Sequence, residues 1–184
     1  MSTDERTPAD ATGVGPVLDP ARQAFVEEFA IMLQGSGFPL MDGRVLAYLI
    51  MTRAPYSSSA DIAAGLEASS GAVSMATRHL VVSGFIKRHF VPGERSHYFR
   101  AENDVWGSWL AGERRYLDRE RDVIEQGLAA LGDSDDPADA PIRERLVNGR
   151  DYMTWLHSHH RKMLAEWEAF KAARDAGTDP EERP

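Results

Sequence analysis

The chain has 184 residues, 42% hydrophobic and 27% charged, a balance that fits one well-packed globular domain with helical extensions. It contains no cysteine, which excludes disulfide frameworks, thiolate zinc sites and cysteine nucleophiles. Its formal net charge of −8 argues against nucleic acid only if the charge is evenly spread, and it is not. Between Arg53 and Arg100 six basic residues stand against three acidic ones, a local charge of +3 that leaves −11 on the remainder. His79, His89 and His97 fall in the same stretch and can add positive charge near a polyanion. A small basic face on an acidic body is the charge pattern of a DNA reader. No run approaches the roughly 18 apolar residues that cross a bilayer, and the first residues are acidic and Pro-rich instead of basic then apolar. A cytoplasmic location without a membrane partner is therefore expected.

Residues 1–20 mix Thr, Asp, Pro and Gly with little apolar content and are expected to form a disordered N-terminal arm. The first helical pattern runs from Ala21 to about Leu33, with Phe25, Phe29, Met32 and Leu33 at helical spacing and Gly35 and Gly37 as its stop. A second helix is expected to begin near Asp42 as N-cap and to carry Val45, Leu46, Leu49 and Ile50 inward before Pro55. Both helices read as core.

The segment from Ser57 to Arg88 reads as helix, turn, helix. Ser58 or Ser59 can cap a short helix whose inner face is Ile62, Ala63 and Leu66. A break at residues 68–70 then starts a second helix capped by Ser69 or Ser70, with Val73, Thr77 and Leu80 at i, i+4 and i+7. Ser70, Gly71, Ser74, Met75 and Arg78 are left facing outward. Small polar side chains let a backbone approach a groove closely, and an Arg there can reach a phosphate or a guanine edge. Gly84 ends the helix, and Phe85 to Val91 alternates apolar and basic residues before a Pro92-Gly93 turn and a second alternating run, Ser96 to Arg100. A hairpin directly after such a helix is the wing of a winged helix, and Lys87, Arg88, Arg95, His97 and Arg100 supply it with donors for the DNA backbone or minor groove.

Two long helices follow. From about Asp104 to Leu131 the residues Leu110, Leu117, Ile124 and Leu131 recur every seven positions, a short coiled-coil stripe. After an acidic linker the last helix spans roughly Ala140 to Arg174, with Ile142, Leu146, Met153, Leu156, Met163, Leu164, Trp167 and Phe170 along one side. These are more apolar faces than one winged domain covers, so a homodimer is expected. The expected fold is mainly α with a small β-hairpin wing. Its parts are a DNA-binding domain at residues 21–103, a helical dimerisation region at 104–174 and a disordered tail at 175–184.

The wording of Gly71-Ala-Val-Ser-Met-Ala-Thr-Arg-His-Leu, Ser83-Gly-Phe-Ile-Lys-Arg and Pro92-Gly-Glu-Arg-Ser-His-Tyr-Phe-Arg-Ala-Glu resembles the MarR superfamily of bacterial regulators, and within it the GbsR-like branch. The resemblance covers about residues 21–106. It implies an obligate homodimer with DNA-binding lobes, often a repressor and sometimes released by a small-molecule effector. It assigns no effector residues.

Three further features have a plainer explanation. The cluster His157, His159 and His160 suggests a metal, but neighbouring residues on a helix point about 100° apart and no third ligand completes the His157/His160 pair. Trp106, Trp109, Tyr116, Tyr152, Trp155 and Trp167 read mostly as packing, with an aromatic cage for a quaternary ammonium ion, the type of ligand associated with the GbsR-like branch, as the alternative. No phosphate loop, carboxylate pair or nucleophile motif is present, so neither catalysis nor a cofactor is expected. The site residues expected to touch double-stranded DNA are Ser70, Ser74, Met75, Arg78, Lys87, Arg88, Arg95 and His97. The chain reads as a dimeric repressor on a near-palindromic operator. The alternative is a winged-helix module that docks protein without DNA.

Overall fold

The computed structural model describes residues 18–134 and 136–177. Most of the expected N-terminal arm and of the expected tail therefore lies outside the described residues. The chain forms two compact units that divide between Asn103 and Asp104.

The first unit begins with α1 (Pro20–Gly35). Asp19 caps it, its carboxylate accepting from the Arg22 amide at 3.0 Å, and Pro20 sits at the first position, where a missing N–H costs nothing. Then come α2 (Leu40–Met51), a two-residue strand β1 (Ser57–Ser58), α3 (Ser59–Gly65) and α4 (Ser70–Ser83). The antiparallel pair β2 (Ile86–His89) and β3 (Tyr98–Ala101) completes it. The sheet order is β1-β3-β2, with Ser57 opposite Phe99 and Lys87 opposite Arg100. The short strand β1 is an addition to the two-stranded wing read from the sequence, since Ser-Ser carries no strand signal of its own.

The core of this unit is Leu46, Tyr48, Ile62, Val73, Leu80, Phe85 and Ile86, all essentially inaccessible to water. Each buried aliphatic or Phe side chain of this kind contributes about 1.5–3 kcal/mol by leaving water. Two expectations are corrected. Asp42 does not cap α2, because Pro39 occupies that position and Asp42 lies inside the first turn, buried at 3% exposure. On α1 the buried residues are Val26, Ala30 and Leu33, while Phe25 and Phe29 are only half-buried and Met32 is exposed. The reason is the closeness of the helices. A Cβ placed on Gly43 would stand 2.6 Å from Ala30 Cα, so small residues take the contact line and the bulkier Phe25 and Phe29, whose rings lie 5.6 Å apart, move to its flank.

The second unit is an antiparallel pair, α5 (Val105–Leu131) and α6 (Ala140–Asp175). Gly127 packs toward Leu146 and Gly149 toward Ile124 at one end. At the other end Asp104, the N-cap of α5, accepts from the Gly107 amide at 2.9 Å, from Trp167 Nε1 at 2.9 Å and from Lys171 Nζ. Burial alone would raise the Asp104 pKa, but these hydrogen bonds outweigh it and hold the carboxyl below its usual value. Of the heptad positions Leu117 is buried, whereas Leu110, Ile124 and Leu131 are half-exposed. No described helix is long and apolar enough to cross a membrane.

Candidate nucleic-acid interface

Local chemistry sets the geometry of the helix–turn–helix. Ser58 and Asp61 form a reciprocal capping box at the start of α3: the Asp61 amide donates to Ser58 Oγ at 3.0 Å, and the Ser58 amide donates to Asp61 Oδ2 at 3.0 Å. After α3 the chain turns through Glu67, a non-glycine residue at φ 49°. Ser69 then caps α4 by accepting from the Ala72 amide at 3.2 Å. Gly65 is required beside this turn, because a Cβ there would overlap the Tyr48 ring.

On α4 the residues Val73, Ala76, Thr77 and Leu80 are buried. Thr77 satisfies its hydroxyl by donating to the Val73 carbonyl at 2.9 Å. That orientation leaves Ser70, Gly71, Ser74, Met75 and Arg78 exposed on the opposite side, as the periodicity requires. Met75 is 54% exposed. Arg78 folds back along the helix, with Nε donating to the Ser74 carbonyl at 3.1 Å. The rest of the guanidinium is left to face solvent.

Gly84, at φ 87°, ends α4 in the left-handed conformation and directs the chain into β2. The wing tip is a tight turn in which the Glu94 amide donates to the Val91 carbonyl at 3.2 Å across Pro92 and Gly93, with Gly93 at φ 86°. Strand pairing divides the basic residues into two groups. Lys87 and Arg100 are cross-strand partners, and both reach Glu102, at 3.4 and 3.1 Å. Arg88, Arg95 and His97 are exposed, and among the described residues neither Arg88 nor Arg95 has a carboxylate within ion-pair distance. The two sets cannot be told apart in the sequence, because Glu102 gains its role from the register of β2 on β3.

Aromatic rings brace the other side of the wing. His89 stacks on Tyr56, 4.3 Å between centroids and 18° between planes, and Tyr98 meets Tyr56 edge-on at 5.4 Å. The Ser59 amide donates to the His97 carbonyl at 3.1 Å, joining the wing to the start of α3. Tyr56 was not a sequence candidate; its partners lie 33 and 42 positions downstream, and only strand pairing brings them to it.

The three histidines of α6 serve different neighbours. His157 Nε2 lies 3.4 Å from Asp118, the His159 ring packs 4.1 Å from Trp155, and His160 is buried. Several aromatic rings on α6 pair along their own helix, Tyr152 with Trp155 and Trp167 with Phe170, and the Lys171 ammonium lies 5.7 Å from the Trp167 ring. A separate cleft of about 430 Å³ in the first unit is lined by Leu18, Gln23, Glu27, Arg44, Leu66 and Glu67. Arg44 spans it, donating to Glu27 at 2.8 Å and to the Leu66 carbonyl at 3.1 Å.

Comparison with known proteins agrees with this geometry. A solved structure described as a transcriptional regulator superposes with a TM-score of 0.72 at 29% sequence identity, over 82% of this chain and 99% of that one. The HTH-type transcriptional regulator MmpR5 of Mycobacterium tuberculosis (strain ATCC 25618 / H37Rv) is 32% identical over 143 residues, 76% of this chain and 82% of the relative. Residues 104–170 match the family model of MmpR5-like MarR family transcriptional regulators. With a relative this similar over most of both lengths, the chain belongs to the MmpR5-like MarR family of transcriptional regulators.

Proposed function

We propose that this DNA-binding regulator acts as a homodimeric repressor, placing one α4 helix per subunit in successive major grooves of a near-palindromic operator. The observation that carries the reading is the continuous outward set Ser70, Ser74, Met75 and Arg78 on α4, followed by a wing with Arg88, Arg95 and His97 exposed. In this reading Ser70 and Ser74 allow close approach, Met75 meets a thymine methyl, and Arg78 reaches a guanine edge or a phosphate. Arg88, Arg95, His97 and, more weakly, Lys87 hold the flanking backbone. A dimer would set the two α4 helices roughly 34–36 Å apart, one turn of DNA. MarR-type regulators typically dimerise. Exposed Tyr116, Val123, Tyr152, Trp155 and Met163 offer apolar surface for a second copy in the helical unit.

Within the family, the wing wording from Pro92 to Glu102 supports the GbsR-like branch, whereas the matched family model is the MmpR5-like one. A small-molecule effector entering the cleft around Arg44 would compete for its hydrogen bond to Leu66 and so reset the turn that precedes α4. The family is not normally enzymatic, and no catalytic step is assigned.

Fluorescence anisotropy of the full-length protein on a duplex from its own upstream region, against a scrambled duplex at two salt concentrations, tests the reading. Salt-dependent preference for the upstream duplex, weakened by Arg78→Ala and Arg95→Ala, is expected. Unchanged affinity and salt slope in both variants would sink it. Weak binding to both duplexes at both salt concentrations would favour the protein-docking alternative, for which the net charge of −8 is the supporting observation.

A further inference from the structure

Phe90 is 80% exposed, the highest value among the exposed large hydrophobic side chains of the described residues. It directly follows β2, two positions beyond Arg88 and five before Arg95. Single exposed hydrophobic side chains are common on protein surfaces, so it is the setting of Phe90 among basic side chains at the end of a strand that gives its exposure a meaning. The basic side chains around it restrict the kind of partner. Arg88 and Arg95 would repel a basic surface and attract a polyanion, and the local charge of +3 is that of the whole segment from Arg53 to Arg100. The residue before Phe90 is also held firmly: His89 is stacked on Tyr56, and Tyr98 closes on the same ring from its edge. A preorganised strand end that carries an exposed aromatic ring between arginines suits insertion into DNA, because little ordering remains to be done on contact.

We propose that Phe90 is an apolar DNA contact of the wing, its ring entering the minor groove beside the segment read by α4 and partly unstacking one base step between the Arg88 and Arg95 anchors. The inference rests on the DNA-binding reading above and adds a contact that is independent of charge. Apolar wedges act this way in minor-groove proteins, where local unstacking is offset by a bend that brings more protein surface onto the duplex. The Tyr56–His89–Tyr98 cluster then positions the wedge without touching DNA.

The test uses the full-length protein and the tightest duplex recovered by selection from a random pool, with 2-aminopurine placed in turn at the adenines flanking the central site. With unsubstituted protein, fluorescence rises at a flanking step as the base unstacks. Phe90→Ala abolishes that rise and weakens binding about tenfold, while the slope of log affinity against log salt is unchanged because no phosphate contact is lost. Phe90→Leu retains most of both signals, since an aliphatic wedge also opens a step. Arg95→Ala behaves in the opposite way, lowering the salt slope by about one. If Phe90→Ala binds and unstacks like the unsubstituted protein while Arg95→Ala changes the slope, the wedge is wrong and the DNA reading stands. If Phe90→Ala shifts only the sedimentation of the free protein, Phe90 belongs to a contact between copies and the proposal fails. If the unsubstituted protein binds no duplex in a salt-dependent way, both readings fall.

Discussion

His79 of α4 places Nδ1 3.3 Å from Oδ2 of Asp42 in the first turn of α2, joining the helix that presents the outward face to a carboxylate buried at 3% exposure. Burial pushes the Asp42 pKa above its ordinary value of 3.8, and the attraction of His79 only partly offsets it. The folded state therefore holds a proton that the unfolded state has already released over the window from 3.8 up to the raised value. Stability from this site is greatest in acid and declines as pH rises through that window.

Asp42→Asn removes this titration. The variant should match the wild type in acid, where Asp42 is neutral, and be the more thermostable of the two near pH 7. Thermal unfolding at a series of pH values measures the difference. A variant that loses ground on the wild type as pH rises would show that the His79 pairing outweighs the burial cost.

Asp104 has the opposite signature. Its folded pKa is lowered, so its contribution is present above 3.8 and is lost as pH falls through the lowered value. Asp104→Ala removes the cap of α5 and should cost about 1–2 kcal/mol at neutral pH. Asp104→Asn keeps an acceptor for the Gly107 amide but loses the charge that holds Lys171, and should cost less. Urea unfolding followed by far-ultraviolet circular dichroism gives both values, and equal losses would mean that the cap contributes nothing.

Gly43→Ala should be destabilising, because the added methyl meets the Ala30 backbone and not a movable side chain, an overpacking cost of about 1–3 kcal/mol. The roughly 1 kcal/mol that Ala gains over Gly inside a helix offsets part of this cost and leaves a net loss of up to about 2 kcal/mol. Gly71→Ala is the contrast: nothing lies within 4 Å of its added methyl, and its melting temperature should stay level or rise. A Gly43→Ala protein as stable as the wild type would show that α1 and α2 can separate freely.

Glu102→Gln frees Lys87 and Arg100 from their shared carboxylate. Duplex affinity should rise about threefold to tenfold at low salt, and the salt slope should steepen by about one, as for one added phosphate contact. An unchanged slope in the anisotropy titration would place both cations away from the DNA.

Features of this protein that depend on near neighbours are legible in its residues. A serine cap at the start of each of α3 and α4, narrowed by the sequence to Ser58 or Ser59 and to Ser69 or Ser70, the alternation of inner and outer residues on α4, the Gly84 stop and the Pro92-Gly93 turn are all interactions within four residues. The helix, turn, helix and hairpin follow from them, as does the exposure of Ser70, Ser74, Met75 and Arg78. Features that depend on distant partners emerge only from packing. Periodicity on α1 pointed to Phe25, Phe29 and Met32, but the close approach of Ala30 to Gly43 gave the contact line to smaller residues. Asp42 reads as a cap until packing buries it beside His79. Lys87, Arg88, Arg95 and Arg100 are alike as letters, and strand register separates the pair that Glu102 holds from the two that stand clear of it. A strand signal sets which residues alternate, but the pairing of strands sets which charges meet, and that pairing is a property of the folded chain.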